Sequence, residues 1–597
     1  MIEVGQVENQ GKIRPYQRDI CIIGVGCTPF FWAVDNEETD GLTEGELYGY
    51  AALKAMEDAG ISPKDIDFYF HGQANPMASS QYMTPNMQVA NWFGMKGKAS
   101  LHHSEACCTG YLAVEAAANA VASGKYDVVL TGCVEFGDSI IKDLTFPQYR
   151  RSKFTMSEFM VSTRWLIDNC YTREMEAANC IASDDPSILY QRRYGLTEKE
   201  MDDTLIAMAL ANRKNAENTP LAMARTPYEV EAKEAGYDDV WEYMRSASNP
   251  KSGHMMRVSG LELKCDGAAA CIIASVDWAR EHNLPHTPIN ILGIGNAACE
   301  IGTPHLETRG TEEAVRQVYE MTGVKPEEID LLLANDFVIS SQLVAAEACG
   351  YLPRGEGWKY FIDGRTTFDG DKPINTNGGR TSFGHAHAAS GLADVYEAVM
   401  QMRGIAEGHQ VKKVPRTTLL RGYGGGQNLA AIILRTNDEL KRDDAAVPPI
   451  DSPIKLEKVV KTYYENLEKG VILGRKCKKC GHVEWPPVYA CNACGSDDTE
   501  WVEMSGKGEA SSIVLPTVMN VNAADLAPFA PYFFSTVTMD GAEVNAVVMG
   551  KITRKNLDAM WEKMPLPVKA KIVDRGEGEN AHKTVFFELD EEELANR

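Results

Sequence analysis

The chain has no run of about 18 consecutive apolar residues and no signal-peptide pattern at its start. The expectation is a cytoplasmic protein with no membrane partner. An excess of cations is also missing. Lys and Arg number 60 against 84 Asp and Glu, a net charge of −24, which argues against a nucleic-acid partner. Any anionic ligand would need a local basic patch. Cysteine is not scarce, but its setting argues against a disulfide framework: 15 cysteines in a long chain expected inside the cell point to thiol or metal chemistry. What the chain does have is length, 597 residues, enough for about three or four domains at roughly 150 residues each.

The first 436 residues repeat themselves. Ile20 to Gly26 (ICIIGVG) matches Ile289 to Gly295 (INILGIG), both reading as buried strands that run into a turn. A helix and a strand follow each: the segment from Ala52 through Gly60-Ile61-Ser62-Pro63 to Ile66-Asp67, and the segment from Ala314 through Gly323-Val324-Lys325-Pro326 to Ile329-Asp330. Thr109-Gly110-Tyr111 then aligns with Ser390-Gly391-Leu392, and Asp266 to Ala274 with Gly424 to Leu434. This predicts two α/β halves, residues 18–285 and 286–436, packed about a pseudo-dyad with a site at their interface. The first half carries a polar, helical insertion at about 146–253 that reads as a lid. Its cations Arg150, Arg151, Lys153, Arg164, Arg192, Arg193, Arg213, Lys214 and Arg225 form either a solvated face or a contact for a phosphorylated ligand.

Cys107 lies in Ser104-Glu105-Ala106-Cys107-Cys108-Thr109-Gly110, ahead of an Ala/Val/Leu-rich stretch, Tyr111 to Ser123, that reads as a fully buried helix. A helix N-terminus favours thiolate, the nucleophilic form; the competing reading is a buried structural thiol. His385 sits in the glycine-rich loop Asn377 to Gly391 and opens the helix equivalent to the one behind Cys107, which makes a Cys–His pair plausible. Gly422-Tyr423-Gly424-Gly425-Gly426 offers backbone N–H groups for an oxyanion hole. Asn335-Asp336 ends a strand, where α/β sites collect side chains.

Together these residues resemble the thiolase superfamily, in particular the sterol-carrier-protein-type thiolases, over roughly residues 18 to 436. Cys107-Cys108-Thr109-Gly110 is similar to the nucleophile motif, Asp266 to Ala270 to the central strand turn, and Gly384-His385 to Gly-His-Pro with Ala386 in place of Pro. Asn335-Asp336 falls where thiolases carry Asn-Glu or His-Asp. The resemblance implies that Cys107 takes an acyl group from an acyl-CoA and that His385 helps form the thiolate. It implies that Cys107 and Gly424 N–H groups hold the thioester oxygen, and that Asn335 holds a water or the second carbonyl. Coenzyme A and acyl-CoA are then the small-molecule partners, and a homodimer or higher homo-oligomer is expected. One departure stands out. The second cysteine of thiolases, the acid/base at the α-carbon, is replaced by Phe337 and Gly422 at its two alternative positions. His385 alone, His387 or Tyr423 remain as groups for that proton.

Residues 437–454, charged and then proline-bearing, read as a linker, with an amphipathic helix around Leu456 to Leu467. Cys477-X-X-Cys480 and Cys491-X-X-Cys494, ten residues apart, supply four sulfur ligands for structural Zn²⁺ within 455–505. Residues 506–597 carry strand-like runs at Ala510–Leu515, Phe533–Met539, Glu543–Lys551, Val568–Val573 and Thr584–Glu588, which predict an OB barrel. The CxxCG…CxxCGS…W pattern resembles the zinc-ribbon/OB-fold modules that accompany acyl-CoA enzymes, here fused to the thiolase-like region. The whole is nearest in type to thiolases of the benzylsuccinyl-CoA pathway. The expected function is cleavage or formation of a bulky or polar β-oxoacyl-CoA. A condensing synthase of the HMG-CoA synthase kind, a retro-aldolase acting on a β-hydroxyacyl-CoA, and a non-catalytic acyl-CoA scaffold are the alternatives.

Overall fold

The computed structural model describes residues 14–31, 42–74, 85–135, 184–298, 308–406, 408–424, 428–444, 457–516, 526–576 and 581–596. Nine strands form the large sheet: β1 (Ile20–Cys27), β2 (Phe68–Gly72), β3 (Ala99–His103), β4 (Val128–Glu135), β5 (Gly267–Ser275), β6 (Ile289–Ala298), β7 (Leu331–Ala334), β8 (Thr417–Gly424) and β9 (Asn428–Thr436). Their order is β3-β2-β4-β5-β1-β6-β9-β8-β7. Read outward from the middle, β1-β5-β4-β2 mirrors β6-β9-β8-β7, so the internal repeat is a structural one. The join is narrow, with only Cys21 opposite Asn290 and Ile22 opposite Ile289.

The halves agree in detail. Each first strand carries a register shift at the same place, between Ile22 and Gly24 in β1 and between Ile291 and Gly293 in β6. Each is crossed on its outer face by a helix, α1 (Glu44–Ala59) and α3 (Thr308–Thr322). The approach is so close that a Cβ on Gly26 would lie 2.2 Å from Ala51 O, and one on Gly295 2.1 Å from Ala314 O. Only glycine fits there. Capping follows the same logic: Thr43 and Glu46 form a capping box at the start of α1, and Gly60 closes it at φ +68°.

Helices α2 (Thr109–Ala122) and α4 (His387–Arg403) are the pseudo-equivalent pair and pack against each other between the half-sheets. The layers are therefore α-β-α-β-α. The helices cross at Gly110 and Gly391. A Cβ on Gly110 would lie 2.6 Å from Ala388 O and 2.8 Å from Leu392 N, and one on Gly391 2.9 Å from the Tyr111 ring. The crossing is locked by a buried polar cluster. Arg380 donates to both Asp394 oxygens at 2.9 and 2.8 Å and to the Tyr111 hydroxyl at 2.9 Å, and Tyr111 donates to Asp394. Helix α2 is less buried than its alanine content suggests: Asn119 is exposed, and Leu112, Glu115 and Ala116 are partly so.

Of the expected insertion, Phe146 to residue 183 lies outside the described residues, and with it Arg150, Arg151, Lys153 and Arg164. The rest is helical, at Asp185–Tyr194, Glu198–Glu217, Tyr228–Glu234 and Val240–Arg245. Arg213 is buried and paired with Glu231 at 2.5 Å, and Lys214 meets Asp369 at 2.9 Å.

The linker helix runs Val459–Glu468. A three-stranded ribbon and a closed five-stranded barrel follow. The barrel's first strand is Lys507–Ala510, and beyond it only Val514 bridges to Phe534, so the expected strand Ala510–Leu515 is displaced toward the Gly506 turn. The ribbon docks on the first half: Tyr489 meets Trp92 edge-on at 5.6 Å, and Val460 N donates to Glu46 at 3.2 Å. No helix among the described residues is long and apolar enough to cross a membrane.

Substituting Gly110 by Ala is expected to lower stability by about 1–3 kcal/mol or more, because the new methyl meets helix backbone. Thermal unfolding checks this; an unchanged Tm would mean that the crossing yields.

Candidate active site

Cys107 stands two residues before α2, in a tight turn that Ala106 enters at φ +49°. The turn is held by Cys108 N donating to Glu105 O at 3.1 Å and by Thr109, whose hydroxyl donates to Ala106 O at 2.6 Å and accepts from Glu105 N at 2.7 Å. Its two cysteines differ in setting. Cys108 is fully buried, and burial pushes its thiol far above the usual range; Cys107 is half-buried and open to a reactant.

The crossing of α2 and α4 brings the second half's loop to Cys107. His385 Nε2 lies 3.2 Å from Cys107 Sγ. His387 Nδ1 lies 3.8 Å from the same sulfur, and the two imidazole centroids are 5.0 Å apart. His385 is held by its backbone: its N–H donates to Leu263 O at 2.7 Å, and its carbonyl accepts from Cys265 N at 3.3 Å. Burial, then the neighbouring His387 and the cations Arg380 and Lys264, hold His385 well below the usual histidine range. It is therefore a neutral imidazole at neutral pH, ready to accept a proton. Glu262, which the sequence did not single out, brings a carboxylate oxygen to 3.3 Å from His385 Nε2. The only sequence signal was its place just ahead of the Asp266 turn.

The other expected residues surround this group. Gly424 ends β8, and a Cβ on it would lie 3.0 Å from Cys108 N and from Glu105 O, so β8 backbone presses directly on the Cys107 turn. Gly425 and Gly426 lie outside the described residues. Asn335 is buried; its amide donates to Tyr423 O at 3.0 Å and its oxygen accepts from Phe337 N at 3.1 Å. Asp336 points away and ties down Arg380 N at 2.7 Å and Asn212 at 2.9 Å; burial raises its carboxyl to about 7.

The two positions that lack the second cysteine differ in setting: one is filled by a stacked ring, and the other has no space for a side chain. Phe337 stacks flat on Tyr423, with centroids 4.9 Å apart and planes 6° apart. A Cβ on Gly422 would lie 2.5 Å from the Tyr111 ring.

In the ribbon, Cys477, Cys480, Cys491 and Cys494 have their sulfurs within 4.8 Å of one another, with two pairs at 3.5 and 3.6 Å. A tetrahedron of four Zn–S bonds needs S···S of ~3.8 Å. The donor set fits structural zinc, and all four positions are taken by protein sulfur.

Two α/β halves thus meet at a Cys–His pair. Comparison with known proteins makes the class specific. Residues 20–222 match the thiolase N-terminal domain, 300–436 the thiolase C-terminal domain-like family, and 465–500 the ChsH2 rubredoxin-like zinc ribbon domain. The chain is 29% identical over 421 residues to an acetyl-CoA acetyltransferase of Methanothermobacter thermautotrophicus, covering 68% of this chain and 97% of that one. It is 26% identical over 420 residues to the benzoylsuccinyl-CoA thiolase subunit BbsB of Thauera aromatica, covering 69% and 96%. A solved structure titled Ltp2-ChsH2(DUF35) aldolase shares the fold, with a TM-score of 0.52 and 21% identity over 72% of this chain and all of that one. The chain belongs to the thiolase superfamily and is an acyltransferase-type enzyme with a ChsH2-type zinc ribbon fused behind it.

Purified protein is expected to carry one zinc per chain by elemental analysis. Cys491→Ser, at a buried ligand position, should lower that ratio and the stability of the ribbon; a full zinc content in the variant would contradict the assignment.

Proposed function

We propose that the protein cleaves a β-oxoacyl-CoA, or forms one, through an acyl group carried on Cys107. The observation that carries this reading is the 3.2 Å contact between Cys107 Sγ and a buried, neutral His385. The thiol proton passes to His385 Nε2, and the Glu262 carboxylate beside that nitrogen stabilises the imidazolium. The thiolate then adds to the β-carbonyl carbon. The oxyanion is held by backbone N–H groups of Cys107 and Gly424, and Asn335 orients the thioester carbonyl or a water. A bulky or polar acyl chain in a degradative route agrees with the name of the Thauera relative, a benzoylsuccinyl-CoA thiolase subunit. The small-molecule partners are acyl-CoA and free CoA, and the site of action is cytoplasmic.

A second reading is retro-aldol cleavage of a β-hydroxyacyl-CoA. What favours it is the filling of both second-cysteine positions, by Phe337 against Tyr423 and by Gly422 against Tyr111. The two differ in their need for CoA, since only thiolysis consumes it.

The assembly we propose is a homodimer. Strand β3 is the edge of the large sheet, and Leu101 on it is 57% exposed, which supports pairing with a second copy. A monomer in sedimentation velocity would contradict this. For the reaction, initial rates with CoA and a panel of β-oxoacyl-CoA esters should follow ping-pong kinetics. His385→Asn should cost about 10²–10⁴ in kcat/KM, and Cys107→Ala should leave no CoA-dependent turnover. Turnover in the Cys107 variant, or cleavage without CoA, would reject the reading.

A further inference from the structure

The acyl-transfer reading leaves one proton without a carrier. When the carbon–carbon bond breaks, its electron pair goes to the α-carbon of the departing thioester. That carbon must be protonated, and in the reverse direction it must be deprotonated. We propose that His387 is the acid–base group for this α-proton, acting beside Cys107 and separately from His385. The proposal rests on the acyl-transfer reading.

Three observations carry it. First, the α-carbon sits next to the carbonyl carbon that Cys107 attacks, so its base must lie within a few ångströms of Sγ; His387 Nδ1 lies 3.8 Å away. Second, His387 is held there against its backbone preference. Its φ is +32°, in the region that favours glycine, yet it is the first residue of the 17-residue helix α4. The next residue is fixed across the seam, where Ala388 N donates to the buried Glu135 of β4 at 3.3 Å. The backbone that aims His387 is thus set by the other half of the molecule. Third, the remaining candidates are committed. His385 Nε2 faces both the Cys107 sulfur and Glu262, so that nitrogen already serves the thiol. The Tyr423 ring is packed flat on Phe337 with the Arg421 guanidinium 5.2 Å from its centroid.

The chemistry balances over a cycle. The thiol proton moves to His385, Sγ adds to the β-carbonyl carbon, and the Cα–Cβ bond breaks with its electron pair going to Cα. The proton on His387 passes to that carbon, giving the shortened acyl-CoA and a neutral imidazole. In the second half, His387 regains a proton from solvent, and incoming CoA, having released its thiol proton to solvent, attacks the acyl carbonyl as thiolate. Cys107 leaves as thiolate and recovers its proton from His385. No oxidant or other co-reactant is required.

The test uses the full-length enzyme in D₂O with acetyl-, propionyl-, succinyl- and phenylacetyl-CoA. Mass spectrometry reads deuterium at the α-carbon of the ester, and intact protein mass reads the acyl group on the enzyme. Wild type should exchange the α-proton of at least one ester and form the adduct. His387→Gln and His387→Ala should exchange about 100-fold or more slowly while still forming the adduct; the adduct shows that the site is folded and that Cys107 and His385 still work. Tyr423→Phe should exchange like wild type. Four results overturn the proposal: no exchange by wild type with any ester, exchange preserved in both His387 variants, exchange lost in Tyr423→Phe, or adduct and exchange lost together in both His387 variants, which would make the residue structural. A wild-type enzyme that forms no adduct instead strikes the acyl-transfer reading itself.

Discussion

Everything at the site depends on how closely two helices cross. Gly110 of α2 and Gly391 of α4 occupy equivalent places in the two halves and lie against each other, with no room for a Cβ on either. That contact sets the distance between the loops that precede the two helices. One loop carries Cys107 and the other carries His385 and His387. A side chain at the crossing would push the helices apart and disturb the Cys107–His385 contact, because close-packed interiors transmit such a displacement with little relief. The Arg380–Asp394–Tyr111 cluster then fixes the angle of approach. Its charges are wholly buried, so breaking the pair would strand a charge and cost about 3–5 kcal/mol. Packing and polar lock together make the seam a rigid place on which Cys107, His385 and His387 face one another.

The electrostatics follow from the same burial. A histidine in the interior is disfavoured as a cation, and His385 has a second imidazole and two cations nearby. It therefore rests neutral and accepts a proton only when a negative charge appears beside it, as on the Cys107 sulfur. Glu262 lies on the side where the cation would form.

Much of this was legible in the sequence, for identifiable reasons. The repeat could be read because glycines at Gly24, Gly26 and Gly295 mark strand positions crossed by helix backbone, and no other residue can stand there. The Cys107–His385 pairing could be read because both precede equivalent helices, and a pseudo-dyad brings equivalent loops together. The ribbon could be read because four cysteines at that spacing have few other uses. What escaped was long-range and set by packing. Glu262 reaches His385 only because Lys264 bridges to it across the chain. The stacking of Phe337 on Tyr423 requires β7 and β8 to be neighbours. Helix α2 read as fully buried because alanine fits a solvent-facing turn as well as a core; the exposure of Asn119 corrects that. The first barrel strand shifted because the Gly506 turn, and not the apolar run after Ala510, sets where pairing begins.

The central claim is that Cys107 carries the acyl group at the seam between the halves. The most direct measurement is peptide mapping of enzyme quenched with acid during turnover of a β-oxoacyl-CoA. The account predicts an acyl mass, labile to hydroxylamine, on the peptide that contains Cys107, and its loss in Cys107→Ala. An acyl group on Cys108 or on any other residue, or turnover with no acylated peptide at all, would contradict it.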